Sequence, residues 1–286
     1  MKRFFLLLLA TLTITAVLAQ RINTPSSGDK EAGINNDLEV WESLKDSLSE
    51  EQMEVLCSLT ESVMLTVVDS VMNEGRYMEA LENLDSLQIY WKRYFGKNVS
   101  PKVYHLKAII LNSLEEWQEV IKTTEECFAI YKTEVPIEQA AAIYGLQGSA
   151  HRMLREYLAA IRSYENALKY YVKNGEDLRQ CDVLCNMAYC YGELGKHTMA
   201  SSFYQKGIGK YLECFKTTRA ALLKRKFNVN DPNKQLDFKL FALHLFYMAV
   251  YEQDLGNKLE SKEYLQMSAH CGFEDAKKEY QRLYGN

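Results

Sequence analysis

The sequence predicts an all-α fold made of antiparallel helix pairs repeated in an array. Three observations carry this expectation. A phrase returns as NEGRYMEAL from Asn73, SLEEWQEVI from Ser113, MLREYLAAI from Met153 and ELGKHTMAS from Glu193, each forty residues after the last. Apolar residues fall at helical spacing from Asp37 onward. Four prolines and fourteen glycines in 286 residues are few for an all-β chain.

The first nineteen residues, MKRFFLLLLATLTITAVLA, have the three parts of a secretory signal: Lys2 and Arg3, an apolar run from Phe4, and small residues ending at Ala19. That run is sixteen residues long and holds three threonines, whereas a spanning helix needs roughly 20 mostly apolar residues. A cleaved signal is therefore favoured over a retained anchor, and no cysteine follows to accept lipid. The expectation is an exported protein, periplasmic or secreted, without stable membrane insertion once residues 1–19 are removed. Residues 20–36 are polar and rich in turn-formers, and read as a flexible leader.

Residues 37–286 read as one helical-repeat domain with punctuation at the helix ends. Ser49 with Gln52 three residues later forms a capping-box pattern opening a helix that runs to Asn73. Ser100-Pro101 and Pro136 mark two further starts, because proline is tolerated in a first turn and costs about 3 kcal/mol in a helix interior. Asn174-Gly175 closes a fourth long helix. The units lie near 50–97, 100–135, 136–174, 177–226 and 236–272, with a capping helix at 273–286.

Within the period each column has a physical reading. Gly75, Glu115, Arg155 and Gly195 sit between two amphipathic stretches and read as hairpin turns. Two residues on comes a ring, Tyr77, Trp117, Tyr157 or His197, expected to close the open end of the hairpin. Three beyond it stands a compact residue, Ala80, Val120, Ala160 or Ala200, where a larger side chain would hold the helices apart. One turn further lies Leu84, Thr124, Tyr164 or Tyr204. Seven before the turn, the first helix supplies Val68, Ala108, Gly148 or Ala188.

This pattern resembles the tetratricopeptide repeat (TPR), whose consensus places W, L-G and Y on the first helix and A, F and a late P on the second. Unit four matches best, with Met187-Ala188, Tyr191, Gly195, Ala200 and Tyr204 in place, and a fifth unit aligns through Met248-Ala249 and Leu255-Gly256. The chain departs from the family in its longer period, in lacking the first Trp, and in carrying Lys107 and Gln147 at apolar positions. The end, with Ala269, Gly272 and Ala276, is similar to the junction of Sel1-type repeats. The resemblance, to an exported bacterial type, implies a right-handed superhelical solenoid of antiparallel helix pairs. It also implies that the first helices line a concave groove holding a protein or peptide partner. In that register the groove columns hold His105, Ile109 and Asn112 in unit two, Ser149 and Arg152 in unit three, Tyr189 in unit four, and Phe246, Val250 and Gln253 in unit five. Arg152 and Tyr189 stand out, because Arg and Tyr are enriched among interface residues that matter most.

The rest of the sequence argues against catalysis. The five histidines form no H-E-x-x-H pattern, no serine sits in a G-x-S-x-G elbow, and no glycine loop suits phosphate. No cofactor and no metal are expected. A net charge of −4 argues against nucleic acid. Seven scattered cysteines read mainly as buried thiols, although Cys181 and Cys214 fall close enough in hairpin register to consider a disulfide. The run from Cys214 to Asn230 carries Lys216, Arg219, Lys224, Arg225 and Lys226 and no acid. It is either a contact for an acidic partner or lipid headgroup, or the cationic C-terminal end of an extended helix before the loop at Asn230-Asp231-Pro232. The function expected is a non-enzymatic interaction scaffold. A glycan or envelope-polymer binder is the alternative, and an enzyme with an unrecognised site stands third.

Overall fold

A computed structural model describes residues 48–226 and 235–285. The signal segment, the leader, residues 37–47 and the Asn230-Asp231-Pro232 loop lie outside the described residues. Those described form twelve α-helices and no strand. In chain order they are α1 (Glu50–Asn73), α2 (Tyr77–Tyr90), α3 (Pro101–Ser113), α4 (Trp117–Tyr131), α5 (Ile137–Met153) and α6 (Tyr157–Asn174). There follow α7 (Asp177–Glu193), α8 (His197–Cys214), the short α9 (Arg219–Leu223), α10 (Gln235–Asp254), α11 (Lys258–His270) and α12 (Glu274–Tyr284). A single π-helical stretch, Trp91–Phe95, continues α2 and stops at Gly96 in the left-handed region.

The starts follow from local chemistry. At α1 the Ser49 hydroxyl accepts from the Gln52 amide at 3.3 Å while the Gln52 side chain accepts from the Ser49 amide at 3.0 Å. Pro101 occupies the first turn of α3, and Pro136 caps α5. Gly175 ends α6 with φ +71°.

All five hairpin turns share one construction. The turn residue is left-handed at Gly75, Glu115, Arg155, Gly195 and Gly256, with φ of 77°, 61°, 61°, 69° and 80°. In each, the amide of the next residue donates to a carbonyl five residues back, from Arg76 to Val71, Glu116 to Leu111, Glu156 to His151, Lys196 to Tyr191 and Asn257 to Glu252, at 2.8–3.1 Å. This closure satisfies carbonyls left open at the helix end and reverses the chain the same way each time.

The chain divides into two compact units, residues to Thr123 and from Thr124 on, so the boundary falls inside α4. In the first unit Val68, Ala80, Leu84, Ala108 and Val120 are fully buried. Lys107, at an expected apolar position, turns its ammonium to Asp85 at 2.6 Å and the Gln88 side chain at 3.0 Å. Among the described helices α1 alone is long and apolar enough to cross a membrane by length and composition. It buries Leu56, Met64, Leu65, Val68 and Val71, and leaves Val55, Leu59 and Val63 facing solvent.

In the second unit Ala160, Ala188 and Ala200 are fully buried, and Tyr164 and Tyr204 nearly so. Gly148 is the close approach: a Cβ there would lie 2.6 Å from Cδ1 of Tyr164. Gln147 keeps its buried polar end satisfied by accepting from the Ser163 hydroxyl at 2.9 Å. The core continues through Tyr211, Leu222, Phe241, Leu245 and Leu265 to Ala276 on α12.

Two expectations are corrected here. The ring at His197 does not close its hairpin; it is exposed, leaning on Tyr251 at 5.8 Å, whose hydroxyl donates to the His197 carbonyl. Nor does α8 extend through the basic run. It stops at Cys214, the chain turns with Lys216 left-handed at φ 50°, and Thr218 caps α9 by accepting from the Ala221 amide at 3.1 Å. Phe215 is the cause on one side, packing between Tyr211, Phe238 and Phe241 at ring separations of 6.0, 5.3 and 5.7 Å. Arg219 is the cause on the other: its guanidinium lies 4.6 Å from the Tyr264 ring centroid and reaches Glu263 at 2.8 Å and Glu260 at 3.3 Å.

Candidate functional site

The first helices of the hairpins carry all nine residues singled out by the column argument. In the first unit, α3 places His105, Ile109 and Asn112 one turn apart, all partly exposed. Burial pulls the His105 pKa down, so its imidazole favours the neutral form. The side-chain oxygen of Asn112 is buried without a hydrogen-bond partner.

The second unit brings several of the residues together. Arg152, at the end of α5, lays its guanidinium 5.5 Å from the centroid of the Tyr189 ring on α7. The Tyr189 ring is in turn 5.6 Å from Tyr247 on α10, and 6.4 Å from Tyr157 in an edge-on contact. Phe246 lies 6.2 Å from Tyr247 and 5.3 Å from Phe273 at the start of α12. The result is a run of rings crossing the first helices, each partly exposed. Val250 and Gln253 on α10 are open to solvent, and Ser149 is partly so.

Arg152 is electrostatically unusual. Burial works against its charge, and the neighbouring Tyr164, Cys190 and Tyr247 more than restore it, so its pKa moves up. Its buried Nε has no acceptor in bonding geometry, while the Tyr164 hydroxyl lies close enough to the guanidinium to support its charge. No carboxylate among the described residues pairs with it. Cys190 beside it is pushed up to about 12 by burial, so it remains a thiol. The Tyr157 hydroxyl, at the edge of the Tyr189 ring, donates to Glu193 at 2.9 Å.

Tyr247, Tyr157 and Phe273 were missed by the column argument. A signal for Tyr247 existed: it lies three residues before Val250, one turn along the same helix face. Tyr157 was assigned wholly to hairpin closure, and Phe273 to the capping segment.

Other chemistry-bearing groups serve packing. His244 bonds Asp182 at 2.9 Å between α10 and α7, His151 bonds Glu156 at 2.7 Å, and His270 bonds the Leu222 carbonyl at 2.9 Å. Among the described residues no group of three or more His, Cys, Asp or Glu could hold a metal ion. All seven cysteines are free thiols, and Cys181 and Cys214 lie in hydrogen-bond contact across the α7–α8 hairpin without being joined.

No protein-family model matches the chain, and no curated protein does either. Solved structures do. A MamA RS-1 double mutant is 11% identical, with 77% of this chain and 97% of that one covered, at a TM-score of 0.51. A Podosopora anserina protein of kinesin light chain type, with nearly identical TPR-like repeats, is 14% identical over 76% of this chain and 95% of that one, at 0.52. At such identities the likeness is one of fold. The class of protein is accordingly an all-α, TPR-like helical-repeat protein.

Proposed function

We propose that the protein is a non-enzymatic, exported scaffold that holds a protein or peptide partner on the face lined by the first helices of the second unit, α5, α7 and α10. Proteins of this fold serve in general as interaction scaffolds. The observation that carries the reading for this chain is the meeting of Arg152, Tyr189 and Tyr247 from three successive first helices. These are the residue types enriched where binding energy concentrates. The exported part is supported by the Lys2-Arg3 start, the apolar run and the Ala19 ending, the three parts of a secretory signal, and corresponds to a periplasmic or secreted protein.

The ring pair Tyr189–Tyr247 is also the kind of wall on which sugars stack, which is the observation favouring a glycan or envelope-polymer binder. Against it, the Tyr189 ring is already occupied by the Arg152 guanidinium and edged by Tyr157. A peptide, which can meet the cation and the rings together, fits the arrangement better.

The test is capture from the protein's own envelope fraction with the mature chain, followed by titration of the recovered partner. Arg152→Ala and Tyr189→Ala should each weaken binding by about 1–2 kcal/mol, and Lys278→Ala on α12 should leave it unchanged. Loss confined to Lys278→Ala would move the site to the terminal helix. Retention by envelope glycan but not by protein would favour the second reading.

A further inference from the structure

We propose that Cys181 and Cys214 are a site of disulfide formation, closed by exchange with an external disulfide, and that the bond fastens the end of α8 to the start of α7. The helices set the register. A Cβ at Gly207 on α8 would lie 3.1 Å from the Cys181 carbonyl and 3.3 Å from the Cys185 amide nitrogen, so this face of α8 is the one pressed on α7. Cys214 follows seven residues later, two turns on along the same face. Lys210, one turn before Cys214, crosses to the Asp177 carboxylate at 2.7 Å, which brings the end of α8 beside the first turn of α7. The side chains close the remaining distance. Cα–Cβ bonds lean toward the N-terminus of their own helix, so in an antiparallel pair Cys181 leans toward Cys214 and Cys214 leans back toward Cys181. The Cys181 thiol shows that lean, donating to the Asp177 carbonyl one turn back at 3.0 Å, and the two thiols are in hydrogen-bond contact. Cys185 is directed elsewhere: its sulfur is the atom that a Cβ at Gly207 would meet at 2.5 Å.

Exposure sets the order of events, because Cys181 is fully buried and Cys214 is partly open to solvent. Burial, and then the neighbouring Cys214, push the Cys181 pKa up, so Cys181 waits as a thiol. Cys214 gives its proton to water and attacks one sulfur of the external disulfide, expelling the other as a thiolate. Cys181 then attacks the Cys214 sulfur of the mixed disulfide and passes its proton to the second departing sulfur. Two protein thiols are oxidised to one disulfide, and one external disulfide is reduced to two thiols. Such bonds form and persist in oxidising compartments, which agrees with a chain that opens on a secretory signal. The position gives the bond a purpose. Directly after Cys214 the chain leaves the helix through Phe215 and the left-handed Lys216, where the forty-residue period is interrupted. A bond there holds the last turn of the hairpin that precedes the interruption.

The experiment uses the full mature chain, purified under reductant, transferred while folded into oxidised glutathione, then alkylated and digested with trypsin. Peptide 180–196, which carries Cys181, Cys185 and Cys190, should be recovered joined to peptide 211–216, which carries Cys214. Fragmentation of the joined pair should place the bond at Cys181, and the intact chain should be lighter by two hydrogens. The melting midpoint of the oxidised chain should lie roughly 5 °C or more above that of the reduced chain, because the bond restricts the unfolded state. Cys214→Ser, a change at a partly exposed position, should melt with the reduced wild-type chain and show no such difference between oxidising and reducing buffer. A bond placed at Cys185 or Cys190 overturns the proposal. So does a glutathione adduct that stays on Cys214 while Cys181 is recovered alkylated, or a join of Cys214 to Cys271 or to a second chain. Equal midpoints for the joined and reduced chains overturn the fastening role. The groove reading is tested separately, by partner capture, and none of these outcomes alters it.

Discussion

At Gly148 the missing side chain is what lets α5 and α6 approach. A methyl group there would meet the Tyr164 ring at 2.6 Å, and that ring is buried with nowhere to retreat. Gly148→Ala should therefore cost about 1–3 kcal/mol in denaturant unfolding, as overpacked cores do, and an unchanged midpoint would show that the ring relaxes. The turn residues make the opposite case. Arg155 and Glu115 hold φ of 61°, a region in which side chains other than glycine are strained, and both are exposed. Arg155→Gly should raise stability by up to about 1 kcal/mol, read from the same urea curves, because glycine enters the left-handed region without the Cβ clash. A lowered midpoint would mean that the Arg155 side chain contributes more than its backbone strain costs. The sequence marked both residues as turns but could not show their strain, since the period alone does not distinguish Gly75 from Glu115.

The hairpin is the element in which sequence reading worked best, and the reason is that its determinants are local. Turn closure involves residues within five of one another, so the returning phrase contains the whole device. The compact columns were legible for the same reason, as their spacing follows the helical period. One buried column went unread: Leu87, Cys127, Ala167 and Gly207, twelve residues after each turn, shrink along the chain, and so hide as a pattern of type while remaining one of position. At the last of them a Cβ would lie 2.5 Å from the Cys185 sulfur. The end of α8 was unreadable for a different reason. Nothing within the basic run says that Phe215 will find Phe241, or that Arg219 will find Glu263, because those partners come from the next hairpin. The account makes Arg219 the clasp of α9. Arg219→Ala should speed tryptic cleavage after Lys224, Arg225 and Lys226 while the remaining helices persist, seen in a limited-proteolysis time course. An unchanged cleavage rate would show that Leu222, the fully buried residue of α9, holds the segment alone.

On the scale of the molecule, periodicity placed Arg152 and Tyr189 each on a first helix, but not against each other or against Tyr247. The ring run draws Tyr189 from α7 and Tyr247 from α10, with Arg152 of α5 laid over it, all in the second unit. That is a relation among three hairpins, invisible within any one repeat. The central claim is that this face, rather than the outward face of the second helices, meets the partner. A photo-crosslinking amino acid introduced in turn at Ser149, Val250 and Gln253, and for comparison at the exposed Leu158 on α6 and Leu259 on α11, tests it most directly. Irradiation of the protein in its own cells should give one discrete crosslinked species from the first three positions and none from Leu158 or Leu259. The same species arising from Leu158 or Leu259, with Ser149, Val250 and Gln253 silent, would contradict the account.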